Sequence, residues 1–381
     1  MSNRDLRIRV IDPKPADTSS YRKAVSLHCH TQHSKENLGF IPHYASRIPI
    51  VSEFFRREME RYFRTHGKKI DFTKAYWTPP LTARRVVELE AERIERELGV
   101  EAMISVTDHD DIEACTLLHA LDTWRNLPVS MEWTVPFRTG CFHLGVHNIP
   151  PDFSAQVLGE LQSYTKRPEE KYLVELLERL NGFNEVLLVL NHPLWNLDYV
   201  DRDTHLILLT AFLAQHGKWI HALELNGYRS WRENELTLRI AQEMGYPVVS
   251  GGDRHGCAPN ATLNLTNATT FSEFISEVRN DQVSEVVLMP EYRENLLART
   301  LELAADVLRY YPDYPQGQQL WTDRVFLELE EDHHVKPLSY YWKRGGPSWV
   351  RSSLWMMCLL GSPRFRPALR LALAREERVV L

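Results

Sequence analysis

Six short clusters of imidazole and carboxylate residues punctuate this chain: His28-Cys29-His30, Asp108-His109, Glu132, His143, His192 and Asp253-Arg254-His255. Imidazole nitrogen combined with carboxylate oxygen suits zinc, iron or manganese rather than calcium. His28 and His30 are two residues apart, as are Asp253 and His255. On a strand such pairs project to one side of a sheet and can reach one cation. A single His-x-His pair says little in a chain with 16 histidines. Two such pairs, each after an apolar run and joined by further His and acid residues, point to a multinuclear metal site. The chemistry this would support is hydrolysis, because two close cations supply metal-activated hydroxide and neutralise phosphate oxygens.

These residues need elements that end together. Apolar runs at 24–27, 102–107, 186–190, 220–225 and 247–250 lead directly into the polar clusters and read as buried parallel strands, with a last strand at 285–289. Amphipathic segments lie between them. Thr82 and Gly99 bracket one helix, with Val87, Ala91, Ile94 and Leu98 as its apolar stripe, and others are expected near 170–181, 204–216 and 233–244. Strand then helix, repeated, implies a parallel sheet. Functional residues at the strand C-terminal ends favour a closed barrel. Residues 38–78 interrupt the alternation as an insertion with a helix near 52–66. Residues 291–381 read as a helical C-terminal extension to a barrel domain spanning 1–290.

Composition narrows the field. No run of 18 apolar residues exists, so no membrane span is expected. The first residues are polar and lack the apolar segment of a signal peptide. Five scattered cysteines without a Cys-x-x-Cys pair suggest reduced thiols and a cytoplasmic setting. Residues 340–381 hold eight Lys and Arg against two acids, a local charge of +6 in a chain of net −6, which leaves −12 on residues 1–339. An acidic body disfavours general nucleic-acid binding.

The ordered motifs His28-Cys29-His30-Thr31-x-x-Ser34, Val106-Thr107-Asp108-His109-Asp110, Met131-Glu132, His143-Leu144-Gly145, Asn191-His192-Pro193 and Gly252-Asp253-Arg254-His255 closely resemble those of the polymerase and histidinol phosphatase (PHP) family of metal-dependent phosphoesterases. The resemblance covers residues from about 22 to about 290. It implies an α/β fold, a distorted (β/α)7 barrel, with two or three divalent ions (Zn, Fe or Mn) at one face. It further implies that His28, His30, Glu132 and Asp253 hold one metal. Glu132 would bridge to a second metal held by His143 and His192, and His109 and His255 would hold a third. Where the family usually has an acid or histidine as the next ligand, this chain has Lys35 and then Glu36. Glu36 is a candidate for the third metal, with His33 a weaker substitute, and His147 competes with His143. Asn191 replaces the commoner small residue before His-Pro.

The function so implied is hydrolysis of a small phosphate monoester or diester, with a small phosphorylated substrate as partner. Arg254 is the first candidate for binding phosphate, the alternative being a structural ion pair; Arg229 and Lys35 are further candidates. Asp108 and Asp110 are candidates for proton transfer or for orienting His109, with Asp108 the expected orienter. Trp77, Trp133, Trp195, Tyr228 and Trp231 are either core residues or stacking surfaces for a base or sugar. An amidohydrolase-type C–N hydrolase uses the same ligand types, and a non-catalytic metal-binding module with a partner-binding tail is a third reading. The basic, aromatic tail either folds against the acidic body or meets an acidic partner or anionic lipid.

Overall fold

Thr82 and Gly99 close the ends of helix Ala83–Leu98 as their chemistry requires. The Thr82 side chain accepts from the Arg85 N–H, and Gly99 adopts a left-handed φ of 68° that completes the last turn. Val86, Val87, Ile94 and Leu98 are buried along its inner stripe, and so is Glu90, an acid in an apolar row. A computed structural model describes residues 7–11, 18–39, 41–42, 49–197, 200–329, 335–342, 345–362, 364–365, 367–368 and 371. Lys343, Arg344, Arg366, Arg370, Arg375 and Arg378 of the basic tail lie outside the described residues.

The apolar runs form β2 (Lys23–Cys29), β5 (Glu101–Val106), β8 (Leu187–Asn191), β9 (Ala222–Asn226), β10 (Val248–Gly251) and β12 (Val283–Leu288). Four more strands alternate polar and apolar residues instead: β1 (Arg7–Ile11), β6 (Met131–Phe137), β7 (Gly140–His147) and β11 (Thr262–Thr266). Together they build two five-stranded sheets, β1-β12-β11-β2-β5 and β10-β9-β8-β7-β6. The pairs β1/β12, β2/β5, β8/β9 and β9/β10 are parallel. Strand β11 is antiparallel to both neighbours, and β6, β7 and β8 pair antiparallel.

The fold is thus mixed α/β, which corrects the expectation of a wholly parallel repeat. The link between β6 and β7 is only Arg138-Thr139, with Arg138 at φ 55°, too short for a crossover helix. Nor do the ladders close into one barrel. Among the described residues the two sheets meet at two seams, through isolated parallel bridges of Cys29 with Arg254 and of His109 with Glu132. The candidate ligands lie along these seams.

A third, antiparallel sheet has the order β14-β13-β4-β3, from β3 (Glu36–Asn37), β4 (Ile70–Trp77), β13 (Val325–Leu329) and β14 (Val335–Pro337). The insertion therefore holds both the helix Pro49–His66 and a strand. The segment 291–381 is not only helical: β13 and β14 stand between helices Leu296–Leu308 and Ser348–Leu360. β-Branched and aromatic residues favour this pairing, and Tyr76 of β4 stacks on Phe326 of β13 at 4.9 Å between centroids. Leu38, Ala75, Leu327 and Leu338 form a small separate core beneath it. Among the described residues, no helix is long and apolar enough to cross a membrane.

Candidate metal centre

Several strand ends enter the centre through backbone that L-residues avoid. His28 has φ 63°, Asp253 52°, Asp110 50° and His192 27°. Each such position costs about 1–3 kcal/mol, and the cost is borne where it re-aims a side chain. This changes the geometric reasoning for the His28/His30 pair. The register of β2 against β5 shifts between Ser26 and Cys29, and His30 lies just beyond the strand. The two rings converge because of a kink, not because of plain strand alternation.

Glu132 is the hub. Its Oε2 lies 2.9 Å from His28 Nε2, 3.3 Å from His30 Nε2 and 3.3 Å from His109 Nδ1. Its Oε1 lies 3.1 Å from His143 Nδ1, 3.0 Å from His192 Nε2 and 2.9 Å from the Asn191 amide nitrogen. One carboxylate thus faces two separate sets of imidazoles, one on each oxygen. Glu132 and His143 do not come from strand C-terminal ends as expected. They come from the antiparallel hairpin β6/β7, Glu132 as the second residue of β6. Asp253 Oδ1 stands 3.6 Å from each of His28 Nε2, His30 Nε2 and His255 Nδ1.

Glu36, at the start of β3, brings the third sheet, the cap sheet from here on, into the cluster. Its Oε2 is 3.2 Å from His109 Nε2 and 3.1 Å from His255 Nε2, while Ser34 Oγ donates to Oε1 at 2.6 Å. Ser34 Oγ also lies 3.1 Å from His30 Nδ1 and accepts from the His109 N–H at 3.1 Å. Trp77, opposite Glu36 in the ladder, lies against His255 at 5.7 Å between centroids.

The supporting groups were the harder part to read from sequence. Glu224, inside the fully buried strand β9, accepts from His28 Nδ1 at 2.5 Å and from the His192 N–H at 2.7 Å. That fixes the His28 tautomer and leaves Nε2 free to face Glu132. A Cβ at Gly251 would fall 1.5 Å from Glu224 Oε1, so only glycine lets this carboxylate approach. Asn226 donates to Glu224 at 2.9 Å. A legible signal for Glu224 exists: an acid within an otherwise apolar run must find a buried partner.

Other candidates are placed differently. Asp108 does not orient His109; its carboxylate accepts from Thr31 N–H at 2.6 Å and Thr31 Oγ1 at 2.7 Å, pinning the turn after His30. Asp110 lies beside His109, accepts from the Thr134 N–H at 2.8 Å, and is pushed up to about 6, chiefly by burial. Arg254 is wholly buried and points away from the cluster, with Nε donating to Glu90 at 2.9 Å and Nη1 to the Gly256 carbonyl at 2.8 Å. It is a structural ion pair, because residue 254 projects opposite to its neighbours 253 and 255. The Lys35 ammonium sits 5.8 Å from the Tyr76 ring centre, and His33 Nδ1 faces Glu113 at 3.3 Å. His147 bonds Ser105 Oγ at 2.8 Å, outside the cluster. Arg229 does reach the site. Its guanidinium lies 3.5 Å from the Trp195 ring centre and its Nη2 3.9 Å from Asp253 Oδ2. Trp133 and Trp231 are core, and Tyr228 is held away from ionising mainly by burial.

The electrostatics of the cluster call for positive charge. Burial opposes charge on His28 and His109, yet the surrounding carboxylates outweigh it, raising His28 well above its ordinary value and His109 to about 10. Burial likewise resists ionisation of Glu36, Glu132 and Asp253, but the facing histidines hold all three well below the carboxylate range. His143 is pushed down to about 4, first by burial, and so presents a neutral ring. His30 Nε2, His109 Nδ1 and His143 Nδ1 are buried without a hydrogen-bond partner. Among the described residues three donor groups arise, each with ligand atoms within 4.8 Å of one another: His30, Glu36, His109 and His255; His28, His30 and Glu132; His109, Glu132 and His143. Orphaned inward nitrogens and this donor set fit divalent cations.

No family model and no curated protein matches the chain. Solved structures with some similarity include PsfC from Pseudomonas syringae, 14% identical over 71% of this chain and 93% of that one, with a TM-score of 0.41. An amidohydrolase from Chromobacterium violaceum, with bound sulfate and no metal, is 16% identical over 47% of this chain and 84% of its own, at a TM-score of 0.32. A chain from Bifidobacterium adolescentis named as a metal-dependent phosphoesterase is 14% identical over 68% and 95%, at 0.35. At these identities and scores no activity follows from the likeness.

Proposed function

We propose that this chain is a metal-dependent hydrolase that cleaves a small phosphate monoester or diester, using two or three divalent ions. The observation that carries the reading is Glu132, whose two oxygens face different histidine sets. Two cations a few ångströms apart need a carboxylate between them. The (β/α)7-like ring belongs to the same proposal, with the two sheets as its halves and the bridged seams as its joints.

His28, His30, Glu132 and Asp253 would hold the first ion, and Glu132, His143 and His192 the second. Glu36, His109 and His255 would hold the third. Bound divalent ions would lower the pKa of coordinated water and neutralise phosphate charge. The protein residues do the rest. Glu224 holds the His28 ring in one tautomer, and Ser34 ties Glu36 to His30 and His109. Arg229, packed on Trp195 at the edge of the cluster, takes the phosphate-binding role first expected of Arg254. Asp110 is assigned proton transfer by elimination, since Thr31 occupies Asp108.

The test is a panel of phosphate monoesters, diesters and amides assayed with manganese-, zinc- and iron-loaded protein. Phosphoester hydrolysis is expected, and Arg229→Met should raise KM about ten-fold with kcat little changed. Amide hydrolysis alone would replace this reading with a C–N hydrolase. No turnover at full metal occupancy would make the chain a metal-binding module.

A further inference from the structure

The C-terminal end of the described chain presents an apolar and cationic surface that the proposed hydrolysis does not use. Helix Ser348–Leu360 is fastened to helix Leu296–Leu308 at one end. Cys358 Sγ lies 3.9 Å from the Ala305 carbonyl, and a Cβ at Gly361 would fall 2.3 Å from the Leu301 carbonyl. The outward side carries Arg351, Trp355 and Met356, the two apolar side chains 67% and 55% exposed. Arg364 and Phe365 are exposed just beyond the helix.

Folding of the basic tail onto the acidic body would give its arginines acidic partners. Arg351 and Arg364 make no ion pair in the described structure. The charge is also segregated: +6 on residues 340–381 and −12 on the remainder. A soluble surface gains nothing from displaying Trp, Met and Phe beside unpaired arginine. At a bilayer interface the same set is favourable. Tryptophan and phenylalanine seat at the headgroup–acyl boundary, arginine meets anionic headgroups, and the acidic body is held away from the surface.

We propose that helix Ser348–Leu360, with Arg364 and Phe365 beyond it, docks the protein on an anionic lipid bilayer, with Trp355, Met356 and Phe365 entering the interface and Arg351 and Arg364 engaging the headgroups. Charge complementarity selects this occupant: the segment is cationic, and the body would be repelled by the same membrane.

Flotation of the full chain with vesicles of phosphatidylcholine, with and without phosphatidylglycerol, tests it. Binding is expected only with phosphatidylglycerol and should weaken as salt rises. Arg351→Glu with Arg364→Glu should lower partitioning on the order of ten-fold or more. Trp355→Ser with Met356→Ser should do the same while leaving soluble-substrate turnover and metal content unchanged, which shows that these variants fold. Absence of flotation with phosphatidylglycerol vesicles would overturn the proposal, as would equal binding of the Trp355/Met356 variant. Binding to soluble polyglutamate in place of vesicles would assign the face to an acidic protein. A concentration-dependent dimer lost in the Trp355/Met356 variant would assign it to a second copy of the chain.

Discussion

The two halves of the candidate metal centre are held in different ways. The inner half, His28, Glu132, His192 and Asp253, lies between the two core sheets with almost no exposure, the His28 ring and the His192 N–H held by Glu224 and the Glu132 carboxylate by Asn191. The outer half, Glu36, His109 and His255, keeps 10–14% side-chain exposure, and Glu36 arrives on the cap sheet. Buried groups backed by further hydrogen bonds are rigid, while groups supplied by a small separate core share its lower local stability. For the three ions proposed above, the difference implies an inner pair of sites that is preformed and an outer one that depends on the cap.

Breaking the hub should erase the distinction. Glu132→Gln is expected to deplete inner and outer metals together and to lower kcat/KM on the order of a thousand-fold, as loss of a major electrostatic stabiliser does. Elemental analysis with steady-state kinetics checks this, and unchanged metal content would remove Glu132 from the centre. Glu224→Gln touches only the inner half, through His28 and the His192 N–H. Metal affinity or activity should fall about 10- to 100-fold with the ligand set intact; titration with a competing chelator would read the loss, and an unaltered affinity would contradict the orienting role. Glu36→Gln should have the smallest effect, about ten-fold in turnover, with one ion fewer per chain. Loss of all metal in that variant would show that the halves are not separable.

The same contrast governs what could be read from sequence. The inner candidates His28 and Asp253 announce themselves through their pairing with His30 and His255, each pair after an apolar run that becomes a strand. Glu36 follows a lysine where an acid or histidine is usual in the resembling motif, and its position depends on β4 and β13, which are far apart in sequence. No local pattern states that Val325–Leu329 pairs with Ile70–Trp77. The antiparallel hairpin was obscured for a related reason: alternation in Met131–Phe137 and Gly140–His147 is weaker to the eye than a continuous apolar run. Arg254 stands out in the sequence between two candidate ligands, whereas Glu90, an acid within a helix stripe, does not. Only the fold reveals that they answer each other across 164 residues.

The cap sheet also has a consequence for biosynthesis. Strand β4 leaves the ribosome some 250 residues before its neighbour β13, so for most of translation one of its edges has nothing to pair with. The two five-stranded sheets can be complete while the sheet that carries Glu36 still waits for the chain's last quarter, and a nascent polypeptide stalled before Val325 would carry the inner cluster under an unfinished roof.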